Sequence, residues 1–206
     1  MIEGNEKLEH RLPLRQRQAL ETRRLILEAA RILFLKAGYT ATTIEAIATR
    51  AGVAVSTVYA AFGSKRAILR GIRTAWHESS QIREVVFSTP SDLDPSSRLR
   101  RFAHATRRQW ETGSSVLAIY RGAAAADREA AAELAEALRG RRTSLDTFTR
   151  SLGPALRSDL PLERASAVLR ALCLPEVYEE LVVESGWSED EYESWLSAAL
   201  ARELLP

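Results

Sequence analysis

The chain has a single cysteine, Cys173, among 206 residues, so no intrachain disulfide can form and a reducing compartment suits it. Long apolar runs are also missing: no window approaches the roughly 18 uninterrupted apolar residues of a membrane span. The opening stretch holds Glu3, Glu6, Lys7, Glu9, Arg11, Arg15 and Arg17 and no apolar segment. That excludes an ordinary secretory signal and makes the cytoplasm the expected location. The three histidines, His10, His77 and His104, are too scattered to suggest a metal site. No Gly-rich phosphate loop, no Gly-x-Ser-x-Gly turn and no metal-ligand spacing is found. The expectation is therefore a chain with no catalytic constellation, no metal and no cofactor.

What is present is ordinary in amount and uneven in placement. Hydrophobic residues make up 46% and charged residues 27%, as in a globular domain with a proper core. The net charge of +2 hides an asymmetry. Residues 1–75 carry 13 Lys/Arg against 6 Glu, whereas residues 160–206 carry 3 Arg against 10 acids. A basic front suits a polyanion and an acidic back does not, although a charge run alone is usually only a solvated face.

Residues 1–18 contain Pro13, are polar and show no periodicity, so they read as a flexible basic arm. From Thr22 the apolar residues step by about four: Leu25/Ile26, Ala29/Ala30, Leu33/Phe34 and Ala37. Gly38 sits where a left-handed cap belongs. Thr42 or Thr43 can cap a second helix carrying Ile44, Ile47, Ala48 and Ala51 on one face. Gly52 supplies a turn with Val53 as its plug, and a third helix buries Val58 and Phe62. Gly63 ends that helix, and Ser64-Lys65-Arg66 opens a fourth that extends to about Phe87. Ser88–Pro95 reads as a loop. Helical patterns then cover about 96–112, 115–126, 127–152, 161–184 and 188–204, with breaks at Gly113, Gly153-Pro154, Pro161 and Gly186. The fold class is all-α: a three-helix helix-turn-helix unit over 19–66, followed by a helical unit over 67–206.

A helix that enters the major groove must present an exposed stripe of short or reaching side chains. Val55, Ser56, Tyr59 and Ala60 form such a stripe. Ser56 and Thr57 can donate to phosphate or base edges, Val55 and Ala60 can touch a thymine methyl, and Tyr59 can reach a phosphate. Lys65 lies at a helix start that already favours an anion. Thr42, Thr43 and Arg50 complete the candidate DNA-binding set, and Arg11, Arg15 and Arg17 suit an adjacent minor groove. Helix pairs joined by a Gly turn also occur in proteins that never touch nucleic acid, and Tyr59 fits a half-buried core position equally well.

The run of Ile26, Ala29-Ala30, Leu33-Phe34, Gly38-Tyr39, Thr42-Thr43, Ile47-Ala48, Ala51-Gly52-Val53, Thr57, Tyr59, Phe62 and Ser64-Lys65 closely resembles the tetracycline-repressor (TetR) family of bacterial transcriptional regulators. The resemblance implies a homodimer on a palindromic operator of double-stranded DNA. It also implies release when an unidentified small-molecule effector enters the C-terminal domain. By that likeness Thr42, Thr57, Tyr59 and Lys65 are phosphate contacts, while Val55 and Ser56 face bases. One departure stands out. The family usually places Ser after Ala-Gly-Val, where this chain has Ala54, so the cap of the recognition helix is missing, at a cost of roughly 1 kcal/mol.

The segment 171–204 resembles the same family's dimerisation hairpin. Leu169, Leu172, Leu196 and Leu200, with Trp187, Tyr192 and Trp195, exceed what two terminal helices need internally and form the expected dimer interface; the alternative is that they cover the chain's own core. Two-fold symmetry then suits a palindrome with half-sites roughly 34–36 Å apart. The middle of the chain is the expected place for an effector, with Phe102, His104, Trp110, Tyr120, Arg121, Phe148 and Cys173 as candidate lining. The Ala-rich run 123–137 reads as a stable solvated helix. Two rivals remain: a constitutive or architectural DNA-binding protein without an effector, and a structural dimer with a fortuitous helix-turn-helix. The weakly charged reading face argues against architecture, because unspecific binding is carried by many Lys/Arg.

Overall fold

The computed structural model describes residues 13–80, 82, 85–86 and 94–206, and every regular element among them is helical. The helices are α1 (Leu14–Ala37), α2 (Ile44–Ala51), α3 (Val55–Phe62), α4 (Lys65–Ser80), α5 (Pro95–Ala126) and α6 (Arg128–Leu152). A 3₁₀ turn at Gly153–Ala155 leads to α7 (Leu162–Leu172), and a short α8 (Pro175–Tyr178) runs into a π-helical turn at Glu179–Glu184. The last helix is α9 (Glu189–Leu204). No helix of the described residues is long and apolar enough to cross a membrane.

Three boundaries differ from the sequence expectation. The first helix starts at Leu14, because the Pro13 carbonyl accepts from the Gln16 and Arg17 amides at 2.9 and 3.2 Å. Arg15 and Arg17 are thus helical, not part of a free arm, while Arg11 lies outside the described residues. The first turns of α1 have no buried face, so periodicity could not reveal them. Gly113 does not break α5. It lets the helix approach Trp76 closely, since a Cβ there would stand 2.3 Å from the indole. The stretch 161–184 is interrupted after Leu172, where Pro175 opens α8 as its first residue.

Two cores hold the chain. The first gathers Ile26, Ala30 and Phe34 of α1, Ile47 of α2, Val58 of α3, Ile68 and Leu69 of α4, and Ile119, Tyr120 and Ala123 of α5. It therefore crosses position 66 and ties the helix-turn-helix to the end of α5. The second joins Leu99 and Phe102 of α5, Leu145, Phe148 and Leu152 of α6, Leu169 of α7 and Tyr192, Leu196 and Leu200 of α9. Phe102 and Phe148 stack at 4.2 Å, with both rings fully buried. The antiparallel α9 begins with a capping box, in which Ser188 and Glu191 satisfy each other's backbone amides.

Candidate nucleic-acid interface and effector cavity

The turn between α2 and α3 is built by backbone economy. Gly52 adopts φ 68°, and the Val53 amide reaches back to the Ala48 carbonyl at 3.0 Å. That closure satisfies the last carbonyls of α2 and needs a residue without a Cβ penalty. Thr43, not Thr42, caps α2, its hydroxyl accepting from the Ala46 amide at 3.1 Å. The Thr42 hydroxyl is buried and donates to the Gly38 carbonyl at 2.8 Å, so its side chain is spent inside the turn. Ala54 precedes α3 with no side-chain cap, as its identity dictates, and its carbonyl accepts from the Thr57 and Val58 amides at 2.9 and 3.3 Å.

The outward face of α3 carries Ser56, Tyr59 and Ala60, all exposed, and Tyr59 is half in solvent at 50%. Val55 and Thr57 are half-buried at its edges, and Val58 points into the core. The tyrosine is therefore a surface group, not a core one. Arg50 is exposed on the last turn of α2. The far end of α3 is fastened by Arg23 of α1, whose guanidinium lies 4.2 Å over the Phe62 ring and donates to the Ala61 carbonyl. The sequence reading passed over Arg23, although a lone Arg opposite an aromatic helix end is the available signal.

Lys65 is part-buried and occupied. Its ammonium donates to the carbonyls of Tyr39, Thr40 and Thr42 at 2.8, 3.3 and 2.9 Å, and sits 4.5 Å from the Tyr39 ring centre. Burial pulls its pKa below the usual lysine value. The residue expected to grip a phosphate thus closes the loop between α1 and α2.

A cavity of about 270 Å³ opens between α4, α5 and α6 and reaches Leu174 and Pro175. Trp76, Trp110, Tyr120 and Leu134 give it an apolar wall, while Arg73, Arg141 and Gln109 supply polar groups. Trp76 Nε1 donates to the Gln109 carbonyl at 2.9 Å, and Trp110 Nε1 to the Cys173 carbonyl at 3.2 Å. The Tyr120 hydroxyl donates to the Leu69 carbonyl at 3.1 Å, and burial pushes its pKa up to about 12. A second, wider cleft adjoins it and shares Arg73, His77, Gln109 and Arg141.

Of the residues expected to line an effector site, Trp110, Tyr120 and Arg121 border the cavity. Phe102 and Phe148 belong to the second core, and His104 is exposed, paired with Glu193 of α9 at 3.0 Å. Cys173 stands behind the wall: its carbonyl anchors Trp110 and Arg141, and its thiol is buried. The expected dimer set divides in the same way. Leu169, Tyr192, Leu196 and Leu200 are fully buried in the chain's own core and offer nothing to a second copy. Leu172, Trp187 and Trp195 are half-buried, and the two indoles meet edge to face at 6.2 Å. The alternating rows of a two-sided helix explain the error, since the apolar residues counted together face inward.

Residues 26–72 match the family profile described as bacterial regulatory proteins, tetR family. This segment is similar to the DNA-binding unit of that family. The matched span holds α2, α3, the turn between them and the Lys65 loop closure, so the likeness falls on the surface described above. No curated protein matches the sequence. Among solved structures, the chain is similar to NalD, the secondary repressor of the MexAB-OprM multidrug efflux pump in Pseudomonas aeruginosa. The identity is 23%, the TM-score 0.68, and the coverage 91% of this chain and 98% of that one. It is also similar to SmeT in complex with triclosan, with 19% identity, a TM-score of 0.70 and coverage of 90% and 92%. A third is a transcriptional regulator of the TerR/AcrR family from Aquifex aeolicus, with 20% identity, a TM-score of 0.63 and coverage of 88% and 98%. These likenesses extend the TetR-type fold over α4–α9.

Proposed function

We propose that this chain is a homodimeric repressor of the TetR family. Two copies of α3 read a palindromic operator, and a small molecule in the α4–α5–α6 cavity releases it. The observation that carries this reading is the span of α4. Its first residue, Lys65, locks the α1–α2 loop, and its later residues Arg73 and Trp76 wall the cavity. Eleven residues separate Lys65 from Trp76, about 16 Å along one rigid helix. A ligand that displaces the Trp76 end therefore moves the end that positions the reading unit, by a hinge or shear of packed helices. The SmeT complex with triclosan gives the reading a precedent in a similar fold.

In this reading Ser56 and Val55 meet base edges, while Tyr59, Thr43 and the free amides at the start of α3 meet phosphates. Thr42 acts through its backbone amide more than through its hydroxyl, which is already used, whereas the Thr57 amide is engaged by the Ala54 carbonyl and the Thr57 hydroxyl is the group that meets a phosphate. The partner copy packs on the outward faces of α7 and α9, where Ala167, Ala171 and Ala198 are exposed beside half-buried Val168, Leu172 and Trp195. The cytoplasm is the compartment where such a regulator meets its operator.

Light scattering at micromolar concentration tests the assembly. The wild-type chain should have twice its monomer mass, and Ala198→Arg should be a folded monomer with weakened operator binding. A wild-type monomer that still binds a palindrome at full affinity would overturn the dimer.

A further inference from the structure

Arg141 stands where the pattern of α6 calls for an apolar side chain. Leu134, Leu138, Leu145, Phe148 and Leu152 follow one another at three- and four-residue steps, and Arg141 fills the step between Leu138 and Leu145. A guanidinium on such a stripe loses hydration and requires compensation. The chain supplies only part of it. Arg141 donates through one nitrogen to the Cys173 carbonyl and lies 5.5 Å from the Trp110 ring centre. Among the described residues it forms no ion pair, and burial pulls its pKa below the usual arginine value.

The facing helix repeats the arrangement. Arg73 of α4 reaches the Glu133 carbonyl at 3.5 Å and lies 5.8 Å from the Tyr120 ring centre, and it too forms no ion pair among the described residues. Glu176, the one carboxylate on the cavity wall, is taken by Arg121 at the rim. Two cations with no ion pair among the described residues therefore border a space of about 270 Å³ whose wall also holds Trp76, Trp110 and Tyr120.

Resting on the effector reading above, we infer that this cavity binds a small aromatic carboxylic acid, its carboxylate on the Arg141 and Arg73 guanidiniums and its ring against Trp110 and Tyr120. A carboxylate matches the planar fork of arginine, whose remaining N–H groups can donate to both of its oxygens. A cationic ligand meets two like charges, and a neutral amide leaves the guanidiniums without a counter-ion. The aromatic wall favours a flat ring over a flexible chain, through edge and face contacts with the indoles.

The test compares benzoate, cinnamate and 1-naphthoate with their primary amides, by calorimetry on the purified full chain at neutral pH. The acid of at least one pair should bind about tenfold or more tightly than its amide, as a charge-assisted hydrogen bond implies. Arg141→Met, which restores the apolar stripe and should fold at least as well, should erase that preference. Arg73→Gln should reduce it. Equal binding of acid and amide in every pair, no binding of any acid, or a preference that survives Arg141→Met would overturn the inference. Operator release is read separately in the same samples. An acid that binds through Arg141 yet leaves the operator occupied keeps this site and contradicts the effector reading. Release by an amide that binds as well as its acid does the reverse.

Discussion

The Lys65 ammonium lies 4.5 Å from the Tyr39 ring centre while donating to the Tyr39 carbonyl at 2.8 Å, so one side chain holds both the ring and the backbone of the loop before α2. Lys65→Met should remove donors from three carbonyls at once and lower stability by about 1–3 kcal/mol, as seen in urea unfolding. Lys65→Arg should not restore it, because a planar fork cannot converge on three carbonyls around one point. Salt titration of DNA binding separates the two roles. A slope unchanged by Lys65→Met, at temperatures where the variant is folded, would assign Lys65 to the loop and not to a phosphate.

Ala54 leaves the first amides of α3 without a side-chain partner. Ala54→Ser should place a hydroxyl where the Thr57 amide can donate to it, and should raise stability by about 1 kcal/mol. Thermal unfolding reads this directly. A lowered melting temperature would mean that the Ala54 methyl is doing packing that the geometry does not reveal.

Gly113 makes room for the Trp76 indole, whose nearest ring atom would stand 2.3 Å from an added Cβ. Gly113→Ala should cost about 1–3 kcal/mol by overpacking, despite the better helix propensity of alanine. It should also shift Trp76 fluorescence, since the indole would have to leave the Gln109 carbonyl. A stabilised variant with unchanged emission would contradict the close approach.

Burial pushes the Cys173 thiol up to about 12. The native chain should therefore resist a thiol reagent at pH 8 and react fully only after unfolding in guanidinium, because the thiolate is the reactive form. Rapid labelling of the native chain would show that the wall behind Trp110 opens on its own.

Stability on the acid side should depend on the helix caps. Hydrogen bonding to the Ser97 side chain and backbone amide holds the Asp94 carboxyl below its ordinary range at the start of α5, and bonds to Ser188 do the same for Glu191 at the start of α9. A carboxyl with a depressed folded-state pKa contributes stability above its ordinary pKa and loses it as pH falls through the folded value. Glu191→Gln should flatten the fall in melting temperature below about pH 4, where unperturbed carboxylates titrate. An identical acid limb in the variant would remove Glu191 from that role.

The reading unit was legible because its constraints are local. Gly52, Thr43 and the Val58 face each act within one turn of chain, and the structure keeps each where periodicity placed it. The start of α1 was hidden by its solvated first turns, and Gly113 looked like a break because a close approach to Trp76 is a tertiary fact. Four of the expected dimer residues turn inward for a related reason. Tyr192 and Leu196 are apolar at helical spacing whether they face α5 or a second chain, and only packing decides. Arg141 stands as a charge on the apolar stripe of α6, beyond the Ala-rich run 123–137 that reads as a solvated helix, and only the packing of α4 and α5 gives it a meaning. The cavity itself needs α4, α5 and α6 brought together and has no local sequence sign.

The central claim is that the exposed face of α3 reads a specific duplex, and selection from a random duplex pool tests it most directly. The selected sequence should be a single palindrome, bound with an affinity that falls steeply with salt, and Ser56→Ala should change the preferred base at a fixed position of each half-site while Tyr59→Ala weakens all duplexes alike. Salt-sensitive binding with no enriched sequence, or an identical preference in Ser56→Ala, would contradict it.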